Sequence, residues 1–271
     1  MSGASGMAAA PDGRTRLFWE STGDGAPVLL IMGLGLSGGA WWRTVPVLSR
    51  RLRVITFDNR GAGQSRALSH AYTTEAMADD AASVLDAVGL ERVHVYGISL
   101  GGMIAQQLAL RHPQRVRSLV LGATNAGGPR AVRPDAEVMA FFRHRMQMQA
   151  EEAARAFVPF NYGARCRREH FDRIEEDLAQ RLAHPFSNHA YRAQMFAAGL
   201  HNCYGRLPGI AVPTLVVHGR HDRVVPVANA HLIAERIPGA RLQILEESGH
   251  LYPTEEPEVD DAIGAFLEQQ R

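Results

Sequence analysis

Short apolar runs alternate with amphipathic stretches along the first half of this chain. Arg16 to Ser21 reads as a strand, ended by Gly23-Asp24-Gly25. Pro27 to Met32 is continuously apolar, the pattern of a strand covered on both faces. A glycine-rich loop runs from Gly33 to Gly39. Trp41 to Leu52 reads as helical, and Arg53 to Asp58 as another buried strand. Residues 73–89 place Ala76, Ala81, Val84, Leu85 and Val88 on one side of a helix. Then come a strand at Arg92–Tyr96, a helix at Gly102–Leu110 and a strand at Ser118–Gly122. Strands alternating with helices predict a mostly parallel, doubly wound sheet. The alternation stops after residue 125, and residues 126 to about 208 carry helical periodicity with almost no strand signal. It resumes at Thr214–Gly219, followed by a helix near 227–236, a strand at Arg241–Glu246 and a closing helix near 256–269. The simplest arrangement is an α/β core, residues 1–125 and 209–271, interrupted by a helical cap, residues 126–208.

Composition narrows the chemistry. The chain has 271 residues, 46% hydrophobic and 21% charged, enough for a sizeable core. A net charge of +1 gives no reason to expect nucleic acid. All 29 basic residues are Arg. With no Lys there is no Schiff-base anchor for pyridoxal phosphate, no P-loop and no kinase phosphate lysine. Cys166 and Cys203 show no paired spacing, and no leader pattern precedes them, which reads as a reduced, cytoplasmic protein. Residues 1–7 read as a floppy tail. No apolar run approaches the roughly 20 residues that span a bilayer, so no membrane association is expected. No metal-ligand spacing stands out.

The chemistry concentrates at strand ends. Gly97-Ile98-Ser99-Leu100-Gly101 sits where a strand turns sharply into a helix, the setting of a nucleophile elbow. A serine hydroxyl needs a base, and the base needs an orienting acid. In open parallel sheets functional groups gather at the carboxyl ends of strands. After the 214–219 strand comes Asp222, and after the 241–246 strand comes His250. Ser99, Asp222, His250 is also the chain order expected for such an elbow. His250 is the candidate base and Asp222 its orienter. His94 and His218, inside strands, read as core or supporting residues, and His221 is the weaker rival for the base. The oxyanion donors are expected to be the backbone N–H groups of Leu100 and of Leu34, in the loop after the 27–32 strand.

Over nearly its whole length the chain resembles the α/β-hydrolase family, through Gly33 after an apolar strand, Phe57-Asp58-Asn59-Arg60-Gly61-Ala62-Gly63-Gln64-Ser65, Gly97–Gly102, Val217-His218-Gly219-Arg220-His221-Asp222 and Ser248-Gly249-His250. It is most similar to capped esterases and lactonases, including enol-lactonases, cofactor-free haloperoxidase-like perhydrolases and carrier-protein methyl ester esterases. Met32 departs from the family, which usually has His before this Gly. The resemblance implies that Asp58 and Arg60 brace the loop beside the site. It also implies a cofactor-free serine hydrolase acting on a small-molecule ester, lactone or acyl substrate, free or carrier-bound. A carbon–carbon bond hydrolase or an acyltransferase would use the same three residues. A non-catalytic ligand-binding protein could keep the fold, although a pure receptor needs no base aligned with a serine.

One motif competes. Gly33-Leu34-Gly35-Leu36-Ser37-Gly38 is a literal G-x-G-x-x-G, with Asp58 about 20 residues further on, as in a dinucleotide fold. That reading leaves Ser99, Asp222 and His250 unexplained. In the cap, Met139, Phe141, Phe142, Met146, Met148, Phe157, Phe160, Tyr162, Met195 and Phe196 are expected to serve mostly in packing, with some lining an apolar pocket above Ser99. Its arginines are mostly solvated faces, and Arg165-Cys166-Arg167-Arg168 is the best candidate for holding a substrate carboxylate or a phosphopantetheine-bearing carrier.

Overall fold

The computed structural model describes residues 3–67, 72–184 and 186–270. Eight strands form one sheet: β1 (Gly3–Ala9), β2 (Arg16–Thr22), β3 (Ala26–Ile31), β4 (Leu52–Phe57), β5 (Val93–Ile98), β6 (Val116–Gly122), β7 (Thr214–Gly219) and β8 (Arg241–Leu245). Their order is β1-β2-β4-β3-β5-β6-β7-β8. The β1–β2 and β2–β4 pairs are antiparallel, and the rest are parallel. The mostly parallel, doubly wound sheet read from the alternation is therefore present.

Helices α1 (Thr44–Leu48), α2 (Thr74–Val88) and α3 (Leu100–Arg111) precede β6. Between β6 and β7 run α4 (Ala136–His144), α5 (Ala150–Ala156), α6 (Val158–Asn161), α7 (Ala164–Glu169), α8 (Phe171–Ala183) and α9 (Asn188–Leu200). After β7 come α10 (Ala228–Arg236), α11 (Tyr252–Glu255) and α12 (Val259–Glu268). The central strands alternate their side chains between two apolar layers. Leu29 and Ile31 of β3 join Val84, Ile104, Leu108 and Ile233 on one face. Val28 and Leu30 join Leu48, Ile263 and Phe266 on the other. Burial of each such side chain contributes about 1.5–3 kcal/mol. Helix α2 begins where the Thr73 side chain accepts from Ala76 N–H and ends at Gly89 in the left-handed conformation. The neck of the helical insertion is pinned by Cys203 N–H to Ala126 O and Gly128 N–H to His201 O.

Two expectations fail. Residues 3–7 are not a tail but part of β1 (Met1 and Ser2 lie outside the described residues). The strand forms because Trp19 of β2 lies across it, so close that a Cβ on Gly6 would stand 2.9 Å from the indole. Small residues with little strand propensity of their own are what this packing requires. The helix expected over Trp41–Leu52 shrinks to a 3₁₀ turn at Gly38–Trp41 and the short α1, because β4 already starts at Leu52.

Candidate active site

Ser99 follows β5 and caps α3 with φ 57° and ψ −121°, a backbone conformation disfavoured for any residue with a Cβ. Its backbone is clamped on both sides. Ser99 N–H donates to Gly122 O at 2.8 Å, and Ser99 O accepts from Thr124 Oγ1 at 2.7 Å and Gly102 N–H at 3.0 Å. The flanking glycines are sterically required. A Cβ on Gly97 would lie 2.2 Å from Gly101 O, and one on Gly101 would lie 1.9 Å from Ile31 O.

The structure brings the three sequence-derived residues together. His250 Nε2 lies 3.1 Å from Ser99 Oγ, and His250 Nδ1 lies 2.7 Å from Asp222 Oδ2. Asp222 is buried, which alone would raise its pKa. The His250 charge and hydrogen bonds from His218 and His250 outweigh that and hold it down at about 2. The carboxylate can only accept, so Nδ1 of His250 carries a proton and Nε2 is left to accept from Ser99 Oγ–H. Asp222 Oδ1 is held by the N–H groups of Val224 and Val225, each at 2.8 Å. His218 also touches Asp222. Its Nε2 lies 2.7 Å from Val225 O and 3.1 Å from Asp222 Oδ2, so the Nε2–H is shared between two acceptors. His94 is bound instead to Ser118 Oγ, deep in the sheet, and burial lowers it to about 4. His221 is exposed.

Leu100 opens α3 directly after Ser99, where a helix leaves its first N–H groups without intrahelical acceptors. Leu34 follows Gly33, whose Cβ, if built, would stand 3.2 Å from Ser99 Cβ. Among the described residues the Leu34 N–H has no protein acceptor. The competing glycine motif is consumed by this loop. Asp58, the acid that a dinucleotide site would turn toward a ribose, accepts from Gly38 N–H and Gln64 N–H, each at 2.7 Å. Asn59 Nδ2 donates to Met32 O, and buried Arg60 pairs bidentately with buried Asp80 on α2. Among the described residues no group of three His, Cys, Asp or Glu side chains could hold a metal ion, and no helix is long and apolar enough to cross a membrane. Cys166 and Cys203 are buried and unpaired.

The helical insertion is bound to the loop that carries His250. Asn161 O accepts from His250 N–H at 2.7 Å and Leu251 N–H at 3.0 Å. The Glu255 carboxyl bridges Gly163 N–H and Gly249 N–H, each at 2.7 Å. Asp177 of α8 accepts from the Tyr162 and Thr254 hydroxyls. Beside these links opens a cleft of about 900 Å³, mouth included. Its floor includes Met32, Ile98 and Leu251, the chain neighbours of Gly33, Ser99 and His250, and α8 forms one wall.

The expected insertion residues divide. Phe141, Phe142, Phe157 and Phe160 stack on one another, against Val224 and Val225. Tyr162 lines the cleft. Phe142, Met146, Met195 and Phe196 line a shallow outer groove. Arg165 and Arg168 are exposed and pair with Glu169. Asn161 of the cleft wall, and Glu255 beside the His250 segment, carried no sequence signal, since their significance lies in what they touch.

The sequence matches the family model for the alpha/beta hydrolase fold over residues 26–257. It is 36% identical over 258 residues to a protein named putative carbamate hydrolase RutD from Azorhizobium caulinodans, covering 93% of this chain and 95% of that one. Two solved structures are similar. A thermophilic esterase from Thermogutta terrifontis has a TM-score of 0.83 and 29% identity, with 100% of this chain and 99% of that one covered. An enol-lactonase from Burkholderia xenovorans has a TM-score of 0.82 and 26% identity, with 97% and 100% covered.

Proposed function

The chain belongs to the α/β-hydrolase family and is a hydrolase, and on that premise we propose that it cleaves a small-molecule carboxylic ester or lactone through an acyl-enzyme on Ser99, without a cofactor. The observation that carries this is the unbroken relay from Ser99 Oγ through His250 to Asp222, at 3.1 and 2.7 Å. His250 Nε2 takes the Ser99 proton as Oγ attacks the carbonyl carbon. The developing oxyanion is received by the N–H groups of Leu34 and Leu100. His250 passes the proton to the leaving alkoxide, and the carbonyl–oxygen bond breaks. Water then attacks the acyl-enzyme, His250 takes its proton, and the acid leaves as Ser99 recovers its hydrogen. Asp222 holds the ring tautomer and stabilises its charged form. Residues 126–208 act as a cap over the cleft. The enol-lactonase and esterase likenesses support this substrate class.

A carbamate is the second reading, favoured by the name of the 36% identical relative. Its carbonyl would enter the same steps with an amine or alcohol leaving.

The test is hydrolysis of p-nitrophenyl esters across acyl lengths, and of p-nitrophenyl carbamates, by wild type and Ser99→Ala. Ester turnover that falls on the order of 10³-fold or more in the variant is expected. Undiminished turnover in Ser99→Ala would overturn the mechanism. Turnover of carbamates but no ester would move the assignment to the second reading. Labelling of wild type by a fluorophosphonate without any hydrolysis would point to acyl transfer.

A further inference from the structure

The loop that carries Leu34 is not held by the core alone. Gly35 follows Leu34 with φ 72°. Glycine takes this conformation about as readily as its mirror, so the loop's own backbone does not fix which way its peptides face. The constraint comes from the insertion. Gln194, on α9 and fully buried, accepts from Gly35 N–H at 3.1 Å through Oε1. Its Nε2 donates to Arg60 O at 3.2 Å. The amide cannot be turned over, because a peptide N–H only donates and a carbonyl only accepts. Arg60 is immobilised by its bidentate pair with Asp80. One end of the Gln194 amide is therefore tied to the core and the other to the loop beside Ser99. The two loops also meet at Met32, whose carbonyl accepts from Asn59 Nδ2. Further contacts hold α9 against both of them. The Tyr191 ring covers Gly35, where a Cβ would meet it at 3.0 Å, and a Cβ on Gly61 would stand 2.6 Å from that of Ala190. An amide with no access to water is tolerated when its groups are paired, and those of Gln194 pair with the main chain of these two loops.

We propose that Gln194 is a positioning residue for the hydrolytic step: its bond to Gly35 holds the loop so that Leu34 N–H faces the carbonyl oxygen as it becomes an oxyanion. This rests on the reading given above, with Leu34 and Leu100 as the donors. The insertion then does more than cover the cleft. Through α9 it supplies one of the constraints that preorganise the site. Such a constraint matters most in the transition state, when charge develops on the oxygen. Its loss should therefore appear in kcat and leave KM nearly unchanged.

Gln194→Met keeps the length of the side chain and removes both bonds, whereas Gln194→Glu keeps an acceptor for Gly35 N–H. With p-nitrophenyl butyrate, kcat is expected to fall about 10- to 100-fold in Gln194→Met, with KM within about twofold of wild type, a smaller loss than deleting an oxyanion donor outright. Gln194→Glu is expected to lie between the two. Phenylboronic acid reads the same property without turnover. Ser99 Oγ adds to the boron, His250 takes the serine proton, and a boronate oxygen occupies the oxyanion position. Its affinity, measured by calorimetry, is expected to weaken about 10- to 100-fold in Gln194→Met. Amide NMR of the wild type needs no variant: Gly35 N–H is expected to resist exchange, and Leu34 N–H to shift when phenylboronic acid is added. Rapid exchange at Gly35, or Ser99-dependent boronic acid affinity unchanged in Gln194→Met, would overturn the proposal. So would a loss confined to KM. Boronic acid binding that survives Ser99→Ala, in a protein that hydrolyses no ester, would instead sink the hydrolase reading on which the proposal stands.

Discussion

Two substitutions at Ser99 should separate backbone strain from chemistry. Ser99→Ala and Ser99→Gly both remove the hydroxyl and its contact with His250. The clamps on the Ser99 peptide, from Gly122 O, Thr124 Oγ1 and Gly102 N–H, involve only backbone atoms of residue 99 and survive in both. What distinguishes the variants is the Cβ at φ 57°, ψ −121°. Holding a residue with a Cβ in such a region costs on the order of 1–3 kcal/mol. Glycine escapes that cost but loses more conformational entropy on folding, about 0.5–1 kcal/mol relative to alanine. The difference leaves Ser99→Gly more stable than Ser99→Ala by up to about 2.5 kcal/mol, at about 3 °C in Tm per kcal/mol for a chain of this size. The assay is thermal and urea unfolding of the two proteins side by side, followed by circular dichroism. At an ordinary β or helical position alanine would be the more stable of the pair. A Ser99→Gly protein that melts at or below Ser99→Ala would refute the strained turn.

Asp222→Asn keeps an oxygen for the Val224 and Val225 N–H groups but offers His250 an amide in place of a carboxylate. The ring tautomer is then no longer fixed, and kcat should drop on the order of 10⁴-fold with folding retained; a loss under tenfold would mean that another group orients His250. Asp260 of α12 is buried, with Oδ1 unpartnered among the described residues, and burial raises its carboxyl to about 7. The folded chain therefore binds this proton more tightly than the unfolded chain, and stability falls as pH rises from about 4 through 7. Asp260→Asn should gain on wild type by about 3 kcal/mol between pH 5 and pH 8, read from urea midpoints at those two pH values, and a pH-independent difference would contradict it.

How much of this was legible in the sequence follows from where each signal resides. Ser99, Asp222 and His250 each stand just past a strong strand pattern, so a parallel sheet alone gathers them at one edge. The bracing role of Asp58 follows from the family resemblance alone, since its partners Gly38 and Gln64 stand 20 and 6 residues away and no local pattern points to them. Other features depend on tertiary pairing that local pattern does not encode. Arg165 and Arg168 stand close in sequence yet find Glu169 on the same helix, whereas Gln194 looks unremarkable until the fold lays it against Gly35 and Arg60. Asn161 contributes a main-chain carbonyl, which no side chain advertises. Gly3–Ala9 has little strand propensity, and its strand is held by the antiparallel ladder to β2, where Trp19 lies across Gly6. The four phenylalanines were recognisable as apolar, but not as packing chiefly on one another.

The Asn161 carbonyl and the Glu255 carboxyl have a consequence for redesign. They tie the end of α6 and its following turn to the segment that bears His250, so the insertion is not an interchangeable module. A helical segment transplanted from another hydrolase to alter preference would arrive without these ties, and His250 would lose the register that places its ring. Any such graft must begin after Gly163 or carry its own equivalent of residues 161–163. For the same reason amide exchange at Gly163, Gly249 and His250 should report one shared opening event, coupling the mobility of the insertion to the placement of the His250 ring.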